Sequence, residues 1–207
     1  MPLTRLLVQS MVSLMEKGRD MTAHSEAGTR RFGSRWRIAG WGTAVLLLLL
    51  PLVAMRFGDE VNWTESDFIF AGIIIGGTGG LFELTVRASR NYAYRAGAGF
   101  ALAAAFLTIW AIAAVGMIGD EDDPFNLLFI AIVGLALLGG IVSRFRAGAM
   151  AVTTATAAAA QVVVSVVGMS QDPRGGILSA TFGAIWLISA ALFWKAARDQ
   201  AAVGAAG

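Results

Sequence analysis

Six apolar stretches, each long enough to cross a bilayer as a helix, are joined by connections that alternate between basic and acidic, and few folds are open to such a chain. The stretches are Ile38–Met55, Phe68–Val86, Ala96–Ile118, Phe125–Val142, Ala147–Val167 and Ile177–Trp194, 18 to 23 residues each. A helix needs about 17 to 25 residues to cross ~30 Å of hydrocarbon. Lipid offers backbone N–H and C=O groups no partner, so a spanning stretch of this kind must satisfy them within itself, as a helix does. The expected fold is therefore all-α, an integral membrane bundle of six transmembrane helices.

Charge gives the orientation. The segment before the first stretch holds Arg5, Lys17, Arg19, Arg30, Arg31, Arg35 and Arg37. The second connection holds Arg87, Arg90 and Arg95, the fourth Arg144 and Arg146, and the C-terminal end Lys195 and Arg198. The odd connections hold only Arg56 and Arg174, so 14 of the 16 Lys and Arg residues fall on one side. Basic residues are retained on the cytoplasmic side, which predicts both termini inside. The carboxylates repeat the division in reverse: Asp59, Glu60, Glu65, Asp67, Asp120, Glu121, Asp122, Asp123 and Asp172 face outward, nine of 14.

The expected organisation is a cytoplasmic N-terminal tail over 1–37, a six-span domain over 38–194 and a short C-terminal tail over 195–207. A pI of 9.5 suggests nucleic acid at first sight. These cations, however, sit in short juxtamembrane connections, where each gains about 1 kcal/mol beside anionic lipid. The partners expected are the bilayer and its anionic headgroups, with a homo-oligomer or a membrane complex as further partners, and no nucleic acid. At 57% hydrophobic residues, and with most connections short, the chain has no room for a soluble domain between spans.

Leu3, Leu6, Leu7, Met11, Leu14 and Met15 recur at helical spacing, with Arg5, Gln9, Ser13, Glu16 and Lys17 on the opposite face. This predicts an amphipathic helix lying on the inner surface; the alternative starts the protein at Met21 and gives the segment no role. The run after Arg35 and Arg37 resembles a secretory leader. The tail before it is longer than a usual n-region, and Leu52-Val53-Ala54 is a poor cleavage site, so it is expected to remain as the first span. Pro51 predicts a bend there.

No cysteine and one histidine, His24, remove disulfides, thiolate nucleophiles, iron–sulfur clusters and paired-His sites. No HExxH, GxSxG or phosphate-cradling loop occurs, so neither an enzyme nor a cofactor is expected. The residues that remain as candidates are few. Gly72, Gly76 and Gly80 form a double GxxxG in the second span, predicting close helix packing of the second, third and fifth spans. Glu83 is the one ionisable residue inside a span. It reads first as an ion pair with Arg87 one turn on, and second as a proton-carrying or substrate-binding carboxylate. Gln161, with Thr153, Thr154 and Thr156, is a second polar focus.

The outer acidic loop Asp120-Glu121-Asp122-Asp123, followed by Pro124, offers oxygen ligands to a divalent ion. Its spacing matches no closed cage, and Asp123-Pro124 reads equally as a helix start, so no metal is expected. Thr64 and Asp67 read as a capping box opening the second span. Trp36, Trp41, Tyr92, Tyr94 and Trp194 at one boundary, with Trp63 and Phe125 at the other, read as an aromatic belt.

Val61-Asn62-Trp63-Thr64 with Asp67-Phe68, then Ala93-Tyr94-Arg95, then Gly119 through Asn126 together resemble a small uncharacterised family of bacterial polytopic inner-membrane proteins. The likeness covers Trp36 to about Val167. The family pattern Glu-Asp-Asn-Pro is met with Asp123 in place of Asn. The resemblance implies the bacterial inner membrane and brings no activity with it. The reading that follows is a non-enzymatic membrane subunit or scaffold; the alternative is a small-solute or ion permease using Glu83 and the outer acidic loop.

Overall fold

A computed structural model describes residue 38, residues 40–57 and residues 62–205. The tail with its expected amphipathic helix, His24, Trp36, Asp59 and Glu60 lie outside these residues. What is described is all-helical, with no strand: α1 (Gly40–Ala54), α2 (Glu65–Ala88), α3 (Tyr92–Val115), α4 (Asn126–Val142), α5 (Ala147–Gly168) and α6 (Pro173–Ala205). Four of these, α2, α3, α5 and α6, are long and apolar enough to cross a membrane. α1 and α4 are apolar but shorter.

The chain divides into two compact units, Met1–Ile69 and Phe70–Gly207. In the first, α1 continues through Pro51 to Ala54, and Met55 N–H closes onto the Pro51 carbonyl at 2.9 Å. α2 then opens with the expected cap. Asp67 Oδ2 accepts from the Thr64 N–H at 2.7 Å and from its hydroxyl at 2.8 Å. The rings of Trp63 and Phe68 meet edge-on at 5.2 Å, so an apolar pair brackets the cap and fixes the entry of the chain.

In the second unit α6 is central. It packs along α5 on one side and α3 on the other, α4 packs on α5, and a smaller α3–α4 contact closes the group. Small residues make this possible. A Cβ added at Gly176 would stand 2.8 Å from the Ser165 carbonyl oxygen and 3.0 Å from Met169 N, so the α5 and α6 backbones meet there. One added at Gly97 of α3 would meet the Phe193 ring of α6 at 3.2 Å. The largest fully buried side chains, Trp186, Phe129, Phe193 and Ile118, fill the gaps between walls of Ala104, Ala157, Ala158 and Ala196.

The expected close set of second, third and fifth spans is met differently. α3 and α5 are both held tightly, each against α6. An added Cβ at Gly72, Gly76 or Gly80 would meet no atom of this unit within 4 Å. A small-residue repeat permits close approach without compelling it, and the bundle has used other glycines.

Two further differences concern the boundary of the bundle. Tyr94, expected in the aromatic belt, is only 9% exposed: its ring meets Phe193 edge-on at 5.1 Å, and its hydroxyl donates to the Phe145 carbonyl at 2.7 Å. That carbonyl belongs to the α4–α5 turn, where Arg144 and Phe145 both hold positive φ (52° and 55°), a conformation costing non-glycine residues about 1 kcal/mol or more each. The Tyr94 bond helps to hold the turn. The expected C-terminal tail, for its part, is helical to Ala205. At 33 residues α6 spans about 50 Å, beyond the ~30 Å of hydrocarbon, and its extension is tied down by buried Ala196 and by a long Asn91–Asp199 contact of 3.5 Å.

These contacts make a matched pair of substitutions informative. Gly176→Ala should lower stability by about 1 to 3 kcal/mol, because backbone on both sides must move. Gly76→Ala should be neutral or gain up to ~1 kcal/mol of helix propensity. Thermal unfolding of the two purified variants in one detergent checks the contrast.

Candidate functional site

The described candidates gather at the two ends of the second unit and at one polar place in its core. At one end lie Arg87, Arg90, Arg95, Arg144, Arg146, Lys195 and Arg198, with Glu83 and Asp199 as the only carboxylates among the described residues. The contacts Tyr94–Phe145 and Asn91–Asp199 bring the start of α3, the α4–α5 turn and the late part of α6 together here. Arg95 turns back on the α2–α3 connection: its Nε donates to the Ser89 carbonyl at 2.6 Å and its Nη2 to the Val86 carbonyl at 2.7 Å. Carbonyls at a helix end have no partner within the helix, and Arg95 supplies one.

Glu83 is placed as its spacing suggests. Arg87 Nη2 donates to Glu83 Oε1 at 2.7 Å, one turn along α2. The Arg87 side chain is 65% exposed and that of Glu83 18%, so the pair is worth about 0.3 to 0.5 kcal/mol. Both sit in the last two turns of α2 at the basic end.

The opposite end carries Asp120, Glu121, Asp122, Asp123 and Asp172, with Arg174. A neutral side chain organises it. Asn126, 2% exposed, accepts from Met117 N–H at 2.9 Å and Ile118 N–H at 3.1 Å through Oδ1, and its Nδ2 donates to the Asp120 carbonyl at 2.7 Å. The buried amide thus replaces the helix partners lost where α3 ends at Gly116. Its place in the Gly119-to-Asn126 motif was visible in the sequence; its task was not, because the groups it binds converge only once the loop has closed.

Asp123 Oδ1 accepts from Phe125 N–H at 2.8 Å in the turn ahead of α4, whose own N-cap position is Phe125, without a side-chain cap bond, and not Asp123 as expected. Asp172 accepts from Gly175 N–H at 2.9 Å and Arg174 N–H at 3.1 Å, opening α6. The Gly175 bond above all, with those from Gly119 and Arg174 and the Arg174 charge, holds the Asp172 carboxyl below its ordinary 3.8. Among the described residues, no group of three or more His, Cys, Asp or Glu side chains comes together to hold a metal ion.

Gln161 is fully buried between α5 and α6. Its Nε2 donates to the Ser179 carbonyl at 3.0 Å, Ser179 Oγ to Ser165 Oγ at 2.9 Å, and Ser165 Oγ to the Gln161 carbonyl at 2.7 Å. This three-membered ring joins the two helices. Thr154 turns inward to its own backbone, bonding the Met150 carbonyl at 2.8 Å. Gln161 Oε1, Thr108 Oγ1 and Trp186 Nε1 are buried without a hydrogen-bond partner among the described residues, at a cost of about 1 to 3 kcal/mol each. Ser179 also lines a pocket of about 220 Å³ at the acidic end, between α3 and α6, with Asp172, Gly119, Ala111 and Phe182. Glu83 lies in the last two turns of α2 at the basic end, and Gln161 in the core within α5.

No family model, curated protein or solved structure matches the chain.

Two measurements test this account of the acidic end. Asn126→Leu leaves two N–H groups and a carbonyl unpaired and should cost about 3 kcal/mol or more, whereas changing Asp120, Glu121 and Asp122 together to Asn, Gln and Asn should cost under about 1 kcal/mol. Comparing the unfolding of the two in detergent decides it. For Asp172 the folded pKa is depressed, so its charge contributes stability above pH 3.8 that is lost as pH falls through the lower folded value. The melting-temperature gap between wild type and Asp172→Asn should be constant above pH 4 to 5 and should close below it, where the protonated acid resembles the amide.

Proposed function

We propose that this protein is a non-enzymatic membrane subunit or scaffold with six spans and both termini cytoplasmic, seated in a bacterial inner membrane. The observation that carries the reading is that the charges a transport path would draw on are engaged in local structure. Glu83 is bonded to Arg87, Asp123 is bonded within the turn ahead of α4, and Asp172 opens α6. The glycine face of α2 supports it: Gly72, Gly76 and Gly80 meet nothing in their own unit, and a face of small residues suits a neighbouring helix, from a second copy or a membrane-complex partner. The separation of basic and acidic ends supports the orientation. The resemblance to the bacterial family supports the location.

One observation favours the alternative, a small-solute or ion permease: the unpartnered Thr108 and Gln161 oxygens in a fully buried core. In that version they, rather than Glu83 or the outer acidic loop, would meet a passing solute.

An alkaline phosphatase reporter fused after Glu121 should be active, and one fused after Ser89 or at the C-terminus inactive; the reverse pattern overturns the orientation. Protein purified in mild detergent should carry a stoichiometric partner or a second copy. Gly76→Leu should release it while leaving the melting temperature of the remaining chain unchanged. Reconstituted vesicles should show no proton or sodium flux above empty ones, and flux abolished by Gln161→Leu in a folded protein would replace the subunit reading with transport.

A further inference from the structure

Between α2 and α3, at the basic end of the second unit, lies a groove of about 490 Å³ lined by Phe82, Val86, Gly99, Phe100 and Ala103, with Arg95 and Tyr92 at its rim. It is a broad hollow open along one side rather than an enclosed cavity. Almost all of its wall is apolar, while the groups at its rim are a cation and a phenol. That combination of a greasy slot with a basic, aromatic mouth is the chemistry of a lipid: an acyl chain in the slot, a phosphate at the mouth.

Arg95 is the informative residue. Its Nε and Nη2 are fixed by the Ser89 and Val86 carbonyls, and its guanidinium lies 5.8 Å from the Tyr92 ring centre. Those bonds use two of the five N–H donors a guanidinium carries. Nη1 makes no hydrogen bond among the described residues, so a pre-oriented, permanently charged donor pair remains. Arg90, exposed in the same connection, adds charge beside it, and Tyr92, 83% exposed, offers an aromatic ring at headgroup level.

Charge also chooses among occupants. The N-terminal tail carries seven Lys and Arg against three Asp and Glu. It is repelled by Arg87, Arg90 and Arg95, and a second copy laid symmetrically on this groove would bring arginines against arginines. An anionic phospholipid is attracted. We propose that the α2–α3 groove is a specific site for one anionic phospholipid, its acyl chain between Phe82 and Phe100 and its phosphate on Arg95 Nη1. The site is independent of whether the protein is a subunit or a permease, and requires only that the bundle be embedded in lipid.

The test is native mass spectrometry of the full-length chain, purified in mild detergent and titrated separately with phosphatidylglycerol and phosphatidylcholine of the same acyl chains. One phosphatidylglycerol should bind about tenfold more tightly than phosphatidylcholine. Arg95→Gln should abolish the preference. Because that change also uncaps α2, Ala96→Phe with Ala103→Phe provides a second route: it fills the groove, keeps Arg95, and should remove the tight phosphatidylglycerol while the melting temperature in lipid-free detergent is unchanged. Arg90→Gln, outside the fold's contacts, should weaken binding about threefold. Equal binding of the two lipids, retention of phosphatidylglycerol by the groove-filled variant, or a wild-type dimer that this variant splits would each overturn the assignment.

Discussion

Helices in hydrocarbon gain nothing by hiding apolar side chains from an apolar solvent, so the α5–α6 seam has to be held by close approach and hydrogen bonds, and the rest of the second unit is attached to it. Gly176 lets backbone meet backbone, with Gly183 admitting Val162 about two turns further on. Along the same seam the Gln161–Ser179–Ser165 ring bonds the helices through fully buried side chains. α3 then packs on α6 through Gly97 and Phe193, with Ser189 Oγ donating to the Gly97 carbonyl at 2.8 Å. α4 packs on α5 and meets α3, closing the group of four helices. Loosening the seam would leave both outer helices without a common support.

The helix ends are a separate problem, because every helix leaves carbonyls and N–H groups unpaired there. The protein meets it with side chains that have little to do with binding. Asn126 closes the acidic end, Asp123 ties the turn ahead of α4, Asp172 starts α6, Arg95 covers the end of α2, and Tyr94 holds the turn at Arg144 and Phe145. Polar residues that look like a site in the sequence are thereby largely accounted for as connection chemistry. The groups left over are of two kinds: the buried Thr108 and Gln161 oxygens with the Trp186 Nε1, and the free donors of Arg95 at the α2–α3 groove. Gln161 already stood out in the sequence as a polar residue within a span, whereas Thr108, an ordinary apolar-span threonine, and Arg95, one of three arginines in a short loop, did not.

How much of this could be read from the residues follows from the range of each interaction. Spans announce themselves through length and hydropathy, and four of the six stretches appear as helices of full spanning length. Local pairs were equally legible: Thr64 with Asp67 and Glu83 with Arg87 are fixed by helical spacing alone. Helix ends were read less well. α6 runs on to Ala205 because Ala196 and Asp199 find support on the start of α3, 100 residues earlier in the chain, which no local pattern encodes.

The sequence by itself determined that the chain is helical, that its apolar lengths suit a bilayer, and that its charges separate to opposite ends, because each of these depends on composition and spacing within a few turns. Only the tertiary structure decided which small residues are contacts. Gly72, Gly76 and Gly80 carry the stronger motif, yet it is Gly97, Gly176 and Gly183 that admit neighbours within the bundle. A missing side chain grants permission to approach, and the helix that takes it up is chosen by how all the faces fit together.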